Sequence, residues 1–152
     1  MILWLKFHGV KIKNLLWLHN FINMEKEKSI AQFRFLHYTI SETVVKIDAD
    51  AQPDKKLDVQ FQQKAGVNEE ASRMRFEFVV GVKDAKKVLD IKVTTVAFFE
   101  YDSSLTEDQK QSFFMHNAPA ILFPYVRAYI STLTSQAGID TIVLPTINFS
   151  KK

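Results

Sequence analysis

The chain has 152 residues, is 47% hydrophobic and 24% charged, and contains no cysteine. This size and apolar content exclude a disordered chain and favour one domain with one core. The lack of cysteine excludes disulfides and thiolate metal sites, and it suits a reducing cytoplasm. The net charge of +3 comes from Lys6, Lys11 and Lys13, because Lys and Arg balance Asp and Glu from Met24 onward, so we expect no nucleic-acid-binding surface, which would require clustered cations.

Residues 1–23 are apolar and basic, which raises the question of a targeting or membrane segment. Their lysines interrupt the stretch of about 20 apolar residues that a spanning helix needs, and the small-residue cleavage site of a signal peptide is missing. On a helix the apolar side chains would point in all directions, so no membrane-surface face is predicted. We therefore expect residues 1–23 to be an N-terminal extension and residues 24–152 to form a single domain.

Residues 30–101 carry the alternating and β-branched patterns of four strands. The first runs from Ile30 to Ile47, and the others are KLDVQFQ, RMRFEFVVGV and VLDIKVTTVAFFEY. Short polar connections between them predict an antiparallel sheet. The fourth strand is apolar on both faces near Val96 and Phe98, so we expect another part of the protein to cover its second face there.

A helix is predicted after the strands. Ser104 or Thr106 can cap a helix start, and apolar residues recur at helical spacing from Pro119 to Gln136. Pro124 lies inside this stretch and removes one backbone hydrogen bond, so we expect a kink or a new helix start there. Gly138 is a natural stop, and the segment IDTIVLPTINF that follows is predicted to be extended.

Residues 117–149, NAPAILFPYVRAYISTLTSQAGIDTIVLPTINF, resemble the SecB family of protein-export chaperones. Those proteins have a proline-bearing ILFPY-type helix start, a helix dotted with Ser and Thr, and an extended stretch closing on a Pro-x-x-Asn-Phe motif, which here is Pro145, Asn148 and Phe149. Residues 50–59, DAQPDKKLDV, are similar to the family's turn into its second strand. With the order of four strands and a long helix, the resemblance covers residues 30–149.

The resemblance implies an α+β fold, with a four-stranded antiparallel sheet followed by one long helix and an extended C-terminal segment. SecB-like proteins are ATP-independent holdases that bind unfolded or nascent polypeptides through apolar grooves and serve protein export, so unfolded polypeptide clients are the expected partners. They assemble as homotetramers, dimers of dimers, with long helices packed between subunits. The oligomer interface is then expected to contain Tyr125, Tyr129, Ile130 and Leu133.

The groove residues that the resemblance implies are Leu57 and Val59, which belong to the KLDV match. Alternation along the strands adds the other candidates for substrate binding, namely Phe61, Phe76, Phe78 and Phe98. Alternation also predicts one buried face in any sheet, so core packing is the competing interpretation for these four. Aromatic side chains suit a peptide groove because they offer a large contact area in many geometries, while an extended peptide adds backbone hydrogen bonds.

Two departures from the SecB pattern leave the partners open. Family members continue past the Asn-Phe motif into a second helix that helps to cover the groove, whereas only residues 150–152 follow here. The acidic residue expected before Ile40, a contact for the export motor ATPase, is Thr39, and the only nearby carboxylate is Glu42. Some SecB-like proteins instead guard an antitoxin in toxin–antitoxin systems, so a dedicated antitoxin chaperone is the alternative function.

The sequence shows no catalytic or metal-binding pattern. The histidines lack the paired spacing of a zinc site, and neither a glycine-rich phosphate loop nor a nucleophile elbow occurs. We therefore expect a protein that is not an enzyme and uses no cofactor. Binding of a small apolar ligand between sheet and helix is a further alternative, which the apolar second face near Val96 and Phe98 motivates.

Overall fold

The computed structural model describes residues 32–150, so the predicted extension at residues 1–23 and its boundary lie outside the described residues. Four strands form one antiparallel sheet in the order β1-β4-β3-β2, with bounds β1 (Phe33–Ile47), β2 (Leu57–Asn68), β3 (Arg73–Asp84) and β4 (Leu89–Tyr101). Among the described strands, β1 and β2 are therefore the two edges of the sheet. The predicted α+β fold with a four-stranded antiparallel sheet is confirmed.

The helical layer follows β4 and is continuous from Glu107 to Gln136. It consists of α1 (Glu107–Ser112), a π-helical turn (Phe113–Asn117) and α2 (Ala118–Gln136). The predicted cap is present, because the Thr106 hydroxyl accepts a hydrogen bond from the backbone N–H of Gln109 at 3.3 Å. Gly138 adopts a φ of +78°, which ends the helical path as expected. Within the described part of the chain, no helix is long and apolar enough to span a membrane.

Pro124 does not begin a new helix, as one of the two predicted alternatives required, since α2 runs through it without interruption. The irregular backbone lies earlier, in the π-helical turn. Pro124 removes the partner of the Ala120 carbonyl, but both residues lie on the exposed side of α2. Water can therefore satisfy that carbonyl, which explains why the helix tolerates the proline.

The core lies between one face of the sheet, here called the inner face, and α2. On β3 and β4 every second residue is buried, from Met74 to Asp84 and from Leu89 to Tyr101, as alternation predicts. The helix contributes the stripe Leu122, Phe123, Val126, Ile130 and Thr134. A segment that forms neither helix nor strand, residues 139–149, follows α2 and adds the buried side chains of Ile142 and Leu144.

The opposite, outer face of the sheet is polar, and among residues 32–150 no second layer packs on it. Ion pairs cross it, including Lys83–Asp90 at 3.3 Å and Arg75–Glu77 at 3.2 Å. Phe98 is half-buried because the ring of His37 stacks on it, with centroids 4.9 Å apart. A neighbouring side chain of the same sheet therefore does part of the covering that we had expected from a separate element.

Candidate functional site

The inner face of the edge strand β2 is covered at one end and open at the other. Leu57, Val59 and Phe61 are half-buried, whereas Ala65 and Val67 are exposed, Val67 by 43%. Along its free edge β2 pairs with no other strand of the described chain. Its outward N–H and C=O groups are therefore available to an added strand.

The segment of residues 139–149, which we call the strap, covers the closed end of β2. Two helix side chains hold its middle: the Ser131 hydroxyl donates to the Ile142 carbonyl at 2.8 Å, and the Thr134 hydroxyl accepts from the Ile142 N–H at 3.0 Å. Thr134 Oγ1 also donates to the Ile130 carbonyl at 2.9 Å, so its buried hydroxyl is fully used. Ser131 and Thr134 of α2 thus anchor a segment that joins no strand.

The end of the strap inserts an aromatic ring between sheet and helix. The ring of Phe149 packs edge-on against Phe61, Phe78 and Phe123, with centroid separations of 5.7, 5.9 and 5.7 Å. Such edge-to-face pairs are favourable because the positive ring edge meets a negative ring face. We call the three surrounding rings the aromatic box.

A cleft of about 300 Å³ lies between the first part of the strap and the connection from β1 to β2. Its apolar lining includes Pro53, Leu57, Ile139 and Val143, and Val143 is 63% exposed. An apolar side chain of a bound peptide can reach this cleft directly from solvent.

Asp84 fixes the wall of the cleft. One carboxylate oxygen accepts the N–H of Leu89 at 2.8 Å and the other accepts the N–H of Asp54 at 3.1 Å. Burial alone would raise the pKa of Asp84, but the backbone N–H groups of Leu89 and Asp54, with those of nearby residues, outweigh it and lower the pKa. The ionised side chain therefore ties the β1–β2 connection to the β3–β4 hairpin.

The π-helical turn extends this apolar surface toward the open end of β2. It presents Met115, which is 43% exposed, with its sulfur 3.8 Å from Nε2 of Gln63. Irregular helical turns of this kind are frequent at functional sites. We use the name β2 groove for the surface formed by Leu57, Val59, Phe61, Val67, Met115 and Val143.

The six predicted substrate-binding residues separate into three groups. Leu57, Val59 and Phe61 lie together along the β2 groove. Phe76 and Phe78 have almost no exposed surface and belong to the core, the competing interpretation for them. Phe98 lies on the outer face, away from the groove. Sequence reasoning missed Val67, Met115 and Val143, because an exposed apolar residue has no signature in an alternating pattern.

The four predicted interface residues also differ in their surroundings. Ile130 is fully buried against the sheet, so its side chain cannot reach a partner subunit, and that assignment is corrected. Tyr129 is half-buried, and its hydroxyl lies 3.0 Å from that of Thr43 on β1. Tyr125 is 44% exposed, and its ring lies 4.9 Å from that of Tyr38. Leu133 is half-buried along the same side of α2.

The comparisons with known proteins agree with this architecture. A family model described as "Preprotein translocase subunit SecB" matches residues 36–151. The chain belongs to the SecB family. A protein-export protein SecB from Anaplasma phagocytophilum is 40% identical over 63 residues, 41% of this chain and 40% of that protein. An uncharacterized protein of Methanocaldococcus jannaschii is 44% identical over 64 residues, 42% of this chain and 41% of that protein.

Among solved structures, a SecB-like chaperone of Mycobacterium tuberculosis, in complex with a ChAD peptide from the HigA1 antitoxin, is similar with a TM-score of 0.66. The two are 16% identical, and the match covers 78% of this chain and 93% of the other. At that identity the likeness shows the SecB-like fold alone. The chain spans about two fifths of the length of the two curated relatives named above.

Proposed function

We propose that this SecB-family chain is an ATP-independent holdase in the cytoplasm, and a binding protein rather than an enzyme. Its clients are unfolded or nascent polypeptides, which bind in the β2 groove. The observation that carries the proposal is an edge of β2 that pairs with no other strand of residues 32–150 and lies beside exposed apolar side chains, among them Val67, Met115 and Val143. Family membership supports the same function.

The groove suits an extended peptide better than a folded surface. A strand added to the edge of β2 gains backbone hydrogen bonds that do not depend on sequence, while its alternate side chains reach the apolar lining. The flexible side chain of Met115 adapts to different partners. Each site is then weak and unselective, and several sites in one assembly raise the overall affinity through avidity.

A homotetramer, a dimer of dimers, is the assembly that we propose. It is supported by the exposed side of α2, where Ala120, Ala128 and Thr132 are small enough to let another helix approach closely. Tyr125, Tyr129 and Leu133 flank that side and offer apolar area to a partner subunit. Ile130 takes no part, because it is buried within its own subunit.

A dedicated antitoxin client is the second candidate function. It is favoured by the structural neighbour from Mycobacterium tuberculosis, which shares this fold and whose complex contains an antitoxin peptide. Binding of a small apolar ligand is disfavoured, because the cleft opens to solvent beside exposed residues of the strap.

Docking to an export motor is not part of the proposal. Thr39 lies on β1 opposite Val96, where it carries no charge. The nearby carboxylate of Glu42 is already paired with Lys92 at 3.3 Å.

The test is suppression of aggregation of a chemically unfolded client, without nucleotide, by the full chain and by Val143→Asp. Burying a valine contributes about 1.5 kcal/mol, and about 1.4 kcal/mol is tenfold in affinity, so the variant should need about tenfold more protein. Val45→Asp, at an exposed valine of the opposite edge strand β1, is the matched control and should act like the wild type. Wild-type protein that suppresses nothing at excess would refute the holdase function, and equal loss in both variants would refute the site.

A further inference from the structure

The aromatic box holds a side chain that reaches it from the far end of a weakly attached segment. Phe149 fills the space between Phe61, Phe78 and Phe123, and Phe61 belongs to the β2 groove. The segment that delivers it is extended and apolar, with Ile142, Leu144, Ile147 and Phe149 turned toward the core. It has the chemistry that the proposed function assigns to a client.

The two halves of the strap are attached very differently. At Ile142 both the N–H and the C=O are bound by α2 side chains, and Leu144 is almost completely buried. From Val143 to Phe149 the backbone makes no hydrogen bond to any other residue between 32 and 150. Past Leu144, the side chains that hold the strap to the rest of the described chain are therefore the half-buried ones of Ile147 and Phe149.

We propose that Phe149 is an exchangeable occupant of the aromatic box, and that a client segment bearing an aromatic side chain displaces the strap from Pro145 onward. The inference rests on the proposed function and adds to it a regulated subsite: the box is closed by the chain itself until a competing ring takes its place.

Exchange of Phe149 for a client's aromatic ring is feasible because few contacts are lost. The incoming ring regains the contacts that Phe149 gives up. Within residues 32–150, the displaced part of the strap, from Pro145 onward, has no backbone hydrogen bond that must break. The anchor at Ile142 keeps the released part of the strap close by, so that it returns when the client leaves. Pro145 lies just past the buried Leu144 and lacks an N–H, so it starts the part that swings away without breaking a bond there.

The first experiment supplies the displaced segment in trans. The probe is a fluorescein-labelled peptide, LPTINFS, with the sequence of residues 144–150, and its binding to the full chain is followed by anisotropy. If the box is occupied by Phe149 for nine tenths of the time or more, Phe149→Ala should bind the peptide about tenfold tighter than the wild type.

The controls are the peptide LPTINAS and the variant Phe98→Ala. LPTINAS should lose the gain in affinity, because it lacks the ring, and Phe98→Ala should bind like the wild type, because Phe98 lies on the outer face. Equal affinities of Phe149→Ala and wild type for LPTINFS would overturn the inference. Binding of neither peptide to either protein would also overturn it. The assay uses no unfolded client, so its outcome is separate from that of the aggregation test.

A second measurement does not require the Phe149→Ala variant, in which the aromatic box is empty. The chain contains no cysteine, so Thr146→Cys and Thr141→Cys each give a single site for a spin label, on opposite sides of the anchor at Ile142. Each labelled protein, otherwise wild type, is saturated with the peptide LPTINFS. Saturation should increase the mobility of the label at position 146 and leave the mobility of the label at position 141 unchanged. An unchanged label at position 146 in the peptide-saturated protein would overturn the inference even if Phe149→Ala did not fold.

Discussion

Thr95 lies at the centre of β4, fully buried between Ile40 of β1 and Phe78 of β3. Its hydroxyl has no hydrogen-bond partner within residues 32–150. A buried hydroxyl without a partner lowers stability, because it gives up its bonds to water and gains none. Thr95→Val keeps the shape of the side chain, so the free energy of unfolding measured in urea should rise by about 1 kcal/mol.

Thr94→Val is the matched control for that substitution. Thr94 is the adjacent residue, faces the outer side of the sheet, and places its hydroxyl 3.4 Å from Glu42 Oε2. Removing this hydroxyl should leave the free energy of unfolding unchanged or slightly lower. If Thr95→Val lowered the free energy of unfolding instead of raising it, the buried hydroxyl would have to make a hydrogen bond, contrary to the structure.

At the scale of elements, one charged side chain joins α1 to the turn between β2 and β3. Lys110 Nζ lies 3.0 Å from Glu69 Oε2 and 2.8 Å from Glu107 Oε1, and the Tyr101 hydroxyl donates to Glu69 at 3.0 Å. Hydrogen bonds to Glu107 and Glu69 raise the pKa of Lys110 despite the burial that opposes its charge. The same contacts lower the pKa of Glu69: the hydrogen bond from Lys110 has the larger effect, and the hydrogen bond from Tyr101 has the next largest.

Glu69→Gln should lower the melting temperature by a few degrees at pH 7, and the difference from wild type should shrink toward pH 3. The folded-state pKa of Glu69 is lowered, so its stabilisation is complete above the unfolded value of about 4.3 and is lost as pH falls through the folded-state pKa. The side chain is 63% exposed, so salt should weaken the effect.

Glu70→Gln is the control for that pH series. Glu70 neighbours Glu69 in the turn, but Lys110 pairs with Glu69 and Glu107 instead. Its melting temperature should follow that of the wild type across the pH range. If both variants lost stability equally at pH 7, general charge balance rather than the Lys110 contact would be responsible.

Most elements of this fold could be predicted from the sequence, because their signals are local. Alternation located the strands, the Thr106 cap and Gly138 marked the helical region, and the Pro-x-x-Asn-Phe motif indicated the family. The π-helical turn could not be predicted, since FFMHN has no composition that distinguishes it from an α-helix. Pro124 left a new helix start open in the prediction, because the sequence does not reveal that its side of the helix faces solvent.

The site was only partly predictable, because exposure depends on what the rest of the chain covers. Leu57, Val59 and Phe61 of the proposed site were selected through a motif and alternation, but the same alternation also selected Phe76 and Phe78, which α2 and the strap bury. Thr134 is buried, although Thr counts as polar in a sequence pattern. Burial is possible because its hydroxyl forms hydrogen bonds with the backbone carbonyl of Ile130 and the backbone N–H of Ile142. These outcomes depend on contacts between distant segments.

At the scale of the whole molecule, most of the large apolar side chains that are exposed between residues 32 and 150 lie on two surfaces with separate roles in the proposed function. The β2 groove, with Val67, Met115 and Val143, is proposed for clients, and the exposed side of α2 with Tyr125 is proposed for assembly. Tyr125 contacts Tyr38 and Phe35 near the edge strand β1, whereas the groove follows the opposite edge, β2. Substitutions on the two surfaces should therefore have separable effects.

Light scattering on the full chain measures the assembly directly, and we expect a tetramer for the wild type. Tyr125→Asp should reduce it to dimers or monomers, because a carboxylate would be buried without a partner in an apolar helix contact. Tyr125 is preferable to Tyr129 for this purpose, since the Tyr129 hydroxyl already contacts Thr43 within the subunit. Met115→Asp, at an equally exposed residue of the groove, should keep the tetramer and weaken client binding. A monomeric wild type, or a tetramer that Tyr125→Asp leaves intact, would contradict the proposed interface, and in the first case the clients would have to be held by single grooves without avidity.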